Sequence, residues 1–414
     1  VVIMTEKDIT KNIENSDTSD RVYGIDWGFF LVTIILVCFG LVMVYSSSSV
    51  EAASSSMYNY NGYYYFTRQL RGVAIGLAGI FIIMKIKLEN IKKLALPSLL
   101  ISILLLVLVL FIGVERNGAV RWIEIAGFSL QPSELCKVSL VLFMASYLSE
   151  SKKRIYSFWL GVVPLLFVGG IIFVLVEKQP DLGTVIAIGL GFMFMLYLAG
   201  IRRFYLISMS VIACSVGTVL IMAKPYRMAR MMSFMDPWKA PETAGFQIIQ
   251  SLLAIGSGGL WGAGFGQSRQ KLFYLPEQHT DFIFAIIGEE LGFAGVLFTI
   301  LLFLIFAYLG FKIALSRKDL FSYLVAAGLT GSIVIQAFVN MGVASGILPL
   351  TGMTLPFISF GSTSMIISLW SAGIILNISA SPTMSRNKKK SLPVRRKTST
   401  TKLRKSGKNM YSLA

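Results

Sequence analysis

Charge is scarce in this chain. Asp, Glu, Lys and Arg make up 14% of its 414 residues, while 55% are hydrophobic. Soluble globular domains carry roughly a quarter charged residues, and this chain's long apolar runs would face water without polar partners. A soluble globular class is therefore excluded. Cysteine is also sparse: Cys38, Cys136 and Cys214 lie inside apolar runs without paired spacing. That excludes a disulfide framework or a paired-cysteine zinc site, and the three are read as packing residues. The single histidine, His279, cannot define a metal site. Acids number 21 against 38 bases, giving a net charge of +17. This excess is no nucleic-acid signature, because eleven of the bases fall in residues 386–408 with no acid among them. Such a tail reads as disordered, either a topology anchor near anionic lipid or a dock for an acidic cytoplasmic partner. Residues 1–26 are polar and charged, and no small-residue cleavage site follows the first apolar run, so that run is expected to be an uncleaved helix.

Apolar runs of membrane-spanning length are what the chain does have. A spanning helix needs about 20 mostly apolar residues. Ten such runs are predicted, near 27–47, 69–86, 94–114, 131–148, 157–176, 182–199, 204–223, 281–311, 321–345 and 353–377. The fourth carries Glu134 and Lys137, and the long eighth carries Glu289 and Glu290. The fold class is thus an all-α polytopic membrane protein of about ten transmembrane helices. Alternate polar segments hold 26 of the 38 Lys and Arg residues. A Lys/Arg excess in short loops marks the cytoplasm, so both termini are expected inside. The domains read as an N-tail over 1–26, a membrane domain over 27–377 and a basic cytoplasmic tail over 378–414. Between helices 7 and 8, residues 224–280 form a large extracellular loop rich in Gly, Arg, Gln and aromatics, with an amphipathic stretch at 246–255 expected to lie on the membrane surface.

Ionisable groups beside or inside apolar helices cluster in four places, all on the predicted outer side. Charge there is costly and tends to face a cavity or a partner. The first cluster is Arg116 to Ile123 followed by Gln131-Pro132-Ser133-Glu134, with Lys137 one turn on. Pro132 suits the first helical position, and Glu134 and Lys137 share a helix face. They form either an internal ion pair with Trp122 anchoring at the interface, or a substrate site. In the site reading Arg121 and Lys137 contact a phosphorylated substrate and Trp122 stacks on sugar or lipid. The second is the turn Glu177-Lys178-Gln179-Pro180-Asp181-Leu182-Gly183-Thr184. The third is the glycine-rich run 256–266, preceded by Gln250-Ser251. Its backbone amides suit either a lipid phosphate or a turn array, and it lacks the Gly-Lys-Ser/Thr of a nucleotide loop. The fourth runs from Leu275 to Gly292. Asp281 sits where the loop enters an apolar helix, a position in which partial desolvation raises a carboxylate's proton affinity and suits it to general-base work. His279 is a supporting contact, and at least one of Glu289 and Glu290 reads as a structural charge.

These motifs together resemble the SEDS family, which includes FtsW, RodA and SpoVE. The resemblance is carried by Gly40-Leu41-Val42-Met43-Val44-Tyr45-Ser46-Ser47-Ser48, residues 118–122, Gln131-Pro132-Ser133-Glu134, Lys178 to Thr184, Gln250-Ser251, Leu275 to Gly292 and Leu355 to Ser364. Phe360-Gly361-Ser362-Thr363 departs from the commoner Tyr-Gly-Gly-Ser. The run Gln270-Lys271-Leu272 is closer to the division-type branch than to the elongation type. The resemblance implies a peptidoglycan glycosyltransferase that polymerises lipid II at the outer face of the bacterial cytoplasmic membrane, at the division septum. Its implied partners are a class B penicillin-binding protein, other division proteins and membrane lipid, with no nucleic acid. Asp281 looks like the family's essential acid and Trp122 like its essential tryptophan. Arg121, Glu134, Lys137, Lys178 and Asp181 look like cavity residues, with Gln250, Ser251 and His279 as further substrate contacts. No cofactor is certain; a divalent cation, Mg or Mn, would come with the substrate, and the sequence holds no clean site for it. The rival readings are a lipid II transporter, whose charges would also line middle and inner depths, and a non-catalytic division scaffold.

Overall fold

The computed structural model describes residues 24–381 apart from 117–118, 126–127, 152–153, 156, 244 and 273. The tails predicted before residue 24 and after 381, the basic stretch 386–408 included, lie outside the described residues. The helices are α1 (Trp27–Ser54), α2 (Tyr64–Met84), α3 (Leu88–Ile112), α4 (Pro132–Glu150), α5 (Val163–Glu177), α6 (Leu182–Leu198), α7 (Arg203–Met222), α8 (Pro225–Met235), α9 (Phe246–Ser257), α10 (Ile283–Leu315), α11 (Leu320–Ala344) and α12 (Ser362–Ala380). A five-residue π-helical turn, Phe158–Val162, leads into α5. Eight are long and apolar enough to cross a membrane, counting α5 with that turn. The other two predicted runs are the charged α4 and the short α6, which pack among them. The spanning helices begin where the chemistry allows. The Asp26 and Asp319 carboxylates accept from the Phe29 and Ser322 amides, and Pro132 occupies the first turn of α4.

The helical membrane fold is as expected, and three details are added or changed. β1 (Val114–Arg116), β2 (Ala119–Ile125) and β3 (Phe128–Leu130) form a small three-stranded antiparallel sheet between α3 and α4. The last helix begins at Ser362 rather than 353, and residues 353–361 form a largely buried turn instead. The eighth run is broken. At 33 residues a straight α10 would measure about 50 Å, well beyond the ~30 Å apolar core. Gly292 interrupts it with φ 65° and ψ −161°, a conformation open essentially to glycine alone. Residues 283–290 are consequently a short half-helix buried on every side, and the lipid-length rod follows it.

α11 and α12 form the centre of the bundle, with α2 laid along α12. Gly72, Gly76 and Gly79 of α2 face Ser362, Leu369 and Trp370 of α12, so the two backbones approach closely, the usual device where no hydrophobic effect drives helices together. The peripheral α7 buries no residue. The bundle is bipolar. One end gathers Asp26, Ile83, Ile86, Arg317 and residues 377–381: the Asn377 amide donates to the Ile83 and Ile86 carbonyls, and Arg317 to those of Ser379 and Ser381. The other end gathers the sheet, the α5–α6 turn, α8, α9, the described part of the loop ahead of α10 and the 345–361 turn. It contains all four clusters singled out in the sequence.

Candidate functional site

The loop ahead of α10 is clamped before it can present a side chain. Phe360 N donates to the His279 carbonyl at 2.8 Å, the Ser359 hydroxyl to the Thr280 carbonyl at 2.5 Å, and Asn340 Nδ2 to the carbonyls of Asp281 (2.8 Å) and Met353 (2.6 Å). His279 is buried between Tyr65 and Phe360, with ring centroids 4.2 and 5.6 Å away, and its Nδ1 lies 3.4 Å from Glu51 of α1. Four elements therefore fix the backbone around Asp281. Glu277 begins this loop in a left-handed conformation, φ 54°.

Asp281 lies outside the membrane-spanning rod, partly open to solvent. Burial pushes its carboxyl up to about 7; the Glu277 and Asp181 carboxylates add to the rise, while the Arg121 and Arg230 guanidiniums oppose it. A carboxylate so placed is a base that ionises near neutral pH.

Beside it opens a cavity of about 340 Å³, walled by the sheet (Arg121), the α5–α6 turn (Pro180, Gly183), the end of α7 (Ile221), α8 (Arg227, Arg230) and the 349–351 turn (Thr351). Gly183 is required here, since a Cβ would collide with the Thr351 carbonyl. Gly352, next in the chain, stands against the Asp281 carboxylate, which joins the acid to the cavity wall.

Other predicted residues divide between site and scaffold. Arg121 lines the cavity, donates to the Gln179 and Pro180 carbonyls at 3.3 and 2.5 Å, and lies 3.7 Å from Asp181. Asp181, 1% exposed, caps α6 by accepting from the Thr184 amide and hydroxyl. Ala119 and Arg121 of β2 line the cavity, and Trp122, beside a break in the β1–β2 register, is half-buried and in contact with its surroundings. Glu134 and Lys137 are paired at 2.8 Å, and Lys137 also donates to Gln336 at 2.6 Å. Lys137 and Gln336 border a separate pocket of about 20 Å³, room for about one water. Lys178 is exposed and does not line the main cavity. Gln250 is half-buried on α9, and the buried Ser251 hydroxyl donates to the Ala344 carbonyl at 2.6 Å, pinning α9 to α11.

The glycine-rich run is a strap. The Ala263 and Gly264 amides donate to the Glu289 and Glu290 carbonyls, and the Phe293 and Ala294 amides to those of Gly259 and Leu260. These bonds bridge the break at Gly292, so the turn-array reading holds and those amides are not offered to a phosphate. Both glutamates are structural. Glu290 accepts from Ser46 and from Lys271 (2.9 Å), and Glu289 accepts from the Ser268 hydroxyl and the Arg269 amide (2.8 Å). Sequence reasoning missed Arg227, Arg230, Asn340 and Thr351. The two arginines had a signal, an i, i+3 pair in a segment opened by Pro225; Asn340 and Thr351 had none.

Among the described residues no group of three or more His, Cys, Asp or Glu side chains is gathered to hold a metal, and the cavity's charged side chains are guanidiniums.

Fold and site define a polytopic membrane protein with a cation-lined cavity and a basic carboxylate at one end of the bundle. The chain belongs to the FtsW, RodA and SpoVE family of cell cycle proteins, which matches residues 26–384. It is 41% identical over 361 residues to the "Probable peptidoglycan glycosyltransferase FtsW" of Geobacter sp. (strain M18), covering 87% of this chain and 98% of that one. It is 42% identical over 352 residues to the stage V sporulation protein E of Bacillus subtilis (strain 168), covering 84% and 95%. A chain from a peptidoglycan synthase complex that coordinates polymerization and crosslinking superposes with a TM-score of 0.70 at 31% identity, covering 86% of this chain and 97% of that one. RodA, the rod shape determining protein of Thermus thermophilus, superposes with a TM-score of 0.63 at 29% identity, covering 86% and 96%.

Proposed function

We propose that this protein is a peptidoglycan glycosyltransferase that polymerises lipid II at the outer face of the bacterial cytoplasmic membrane during septal wall synthesis. The site end of the bundle faces outward, both termini lie in the cytoplasm, and a class B penicillin-binding protein with other division proteins works beside it. The observation that carries the mechanism is a carboxyl raised to about 7, clamped through its own backbone carbonyl, beside a cavity lined by arginines.

In the reaction, the 4-hydroxyl of an incoming lipid-linked disaccharide attacks the anomeric carbon of the growing strand. Asp281 takes the hydroxyl proton, the new C–O bond forms as the bond to phosphate breaks, and the polyprenyl pyrophosphate departs with the electron pair. The one base and the phosphate leaving group favour a single inverting displacement. A base within reach contributes roughly 10²–10⁴-fold, and fixed cations offset the charge growing on the leaving group.

The test is polymerisation of labelled lipid II by purified protein with its cognate transpeptidase, comparing the parent with Asp281→Asn after checking that both fold and form the complex. Loss of glycan chains with the complex intact supports the base assignment. Full activity of the Asn variant sinks it. Inactivity of both, beside a working positive control, favours the transporter or scaffold reading.

A further inference from the structure

The three cavity arginines are not equivalent. Arg227, 5% exposed, is consumed: it pairs with Glu177 at 2.6 Å, donates to the Leu220 carbonyl at 3.3 Å and to Tyr226 Oη at 2.9 Å. It is the strut that ties α8 to the end of α5. Arg121 is largely committed to the α5–α6 turn and Asp181. Arg230 is different. It lines the cavity, is exposed, and among the described residues makes no ion pair or hydrogen bond; its partner is the Tyr226 ring, whose centroid lies 6.0 Å away. It feels Arg121 as a like charge and Asp281 as an opposite one, while Asp181 and Glu177 are taken up by Arg121 and Arg227.

The helix that carries Arg230 sets its depth. Arg227, Arg230 and Met231 share the face of α8 that lines the cavity, at i, i+3 and i+4 spacing. Met232 and Met235, with Trp238 just beyond the helix, are exposed. An amphipathic helix of this kind lies in the membrane interface with its apolar side chains in lipid, which puts Arg230 at phosphate level. Ile221 and Met231 give the same cavity an apolar wall.

We infer that Arg230 is a substrate-binding residue that holds the pyrophosphate of a polyprenyl-linked donor, with Arg121 opposite it and the lipid chain running along the apolar wall. This rests on the glycosyltransferase reading and names the group in that site that receives the leaving pyrophosphate. A guanidinium suits the task because it presents a planar fork of donors to phosphate oxygens and stays charged throughout the cycle. Arg227 is excluded from the role because releasing it would strand Glu177.

The test measures binding of undecaprenyl pyrophosphate to purified full-length protein in phosphatidylcholine nanodiscs by native mass spectrometry, with lipid II polymerisation assayed separately. Phosphatidylglycerol and free inorganic pyrophosphate serve as competing probes. Arg230→Gln is expected to weaken undecaprenyl pyrophosphate binding about tenfold or more, the usual effect of losing a charge-assisted contact, and to raise KM for lipid II with an unchanged melting temperature. Arg230→Lys is expected to recover part of the loss. Arg227→Gln is expected to lower the melting temperature, the sign of a strut.

Parent-like affinity in Arg230→Gln, alongside a parent that polymerises lipid II, overturns this assignment and leaves the enzyme reading standing. Displacement of the ligand by equimolar phosphatidylglycerol or inorganic pyrophosphate overturns it too, by making the site a general anion or headgroup site. A parent that neither polymerises nor binds overturns both readings. If the Gln variant fails to fold, the Lys variant decides: about threefold weaker binding supports a guanidinium contact, and parent affinity refutes it.

Discussion

On the proposed base role, the protonation of Asp281 is expected to govern both rate and stability, with the two effects running in opposite directions. Its carboxyl is raised from an ordinary 3.8 to about 7, chiefly by burial. Only the ionised form can take a proton, so polymerisation at subsaturating lipid II should rise about tenfold per pH unit below the midpoint near 7 and level off above it. Stability moves the other way. The folded state holds the proton while the unfolded chain has already lost it, so folding weakens as pH rises from about 4 to about 7 and is flat beyond. Taken in full the shift corresponds to about 4 kcal/mol. Because the carboxylate is partly open to solvent, a penalty of about 1–2 kcal/mol is the sounder figure. Asp281→Asn should therefore lose roughly 10²–10⁴-fold in rate yet melt above the parent at pH 8, with the difference vanishing near pH 4. The assays are lipid II polymerisation from pH 5.5 to 8.5 and melting followed by tryptophan fluorescence in detergent. A rate midpoint near 4, or an Asn variant less stable than the parent at pH 8, would refute the burial argument.

Other outcomes follow from the scaffold. Lys271→Met strands the fully buried Glu290 and should cost about 3–5 kcal/mol; adding Glu290→Gln should recover much of the loss in melting temperature, and failure to do so would show that the pair is not the cause. Gly292→Ala forces a side chain into a glycine-only conformation where its Cβ would collide with the Gly262 amide, so folded yield should fall sharply; Gly256→Ala, which meets open space, should leave yield unchanged. Asn340→Ala frees the Asp281 and Met353 carbonyls and should lower kcat about tenfold or more with little change in KM; a change in KM alone would mean that Asn340 acts on binding rather than on the base.

Local rules read much of this protein directly. Hydrocarbon demands a run of about 20 apolar residues with internally satisfied backbone, and that requirement made the helices legible from composition alone. The same cost of charge beside lipid singled out Asp281, Arg121 and Asp181 and gathered the clusters at one end. The residues alone also offered the Glu134–Lys137 ion pair as one of two readings, and a structural role for at least one of Glu289 and Glu290. Tertiary structure decided what contacts between distant segments control. The break at Gly292 depends on a strap about thirty residues upstream, and the Ser251 hydroxyl serves a helix about ninety residues away. The sheet between α3 and α4 falls in a polar stretch with no apolar run to announce it, and only the fold brings its Arg121 to the cavity wall. Most of all, a row of arginines in sequence carries no sign of which are already paired. Glu177 pairs with Arg227, whereas Arg230 has no ion pair among the described residues, a difference that exists only once α8 is laid against α5.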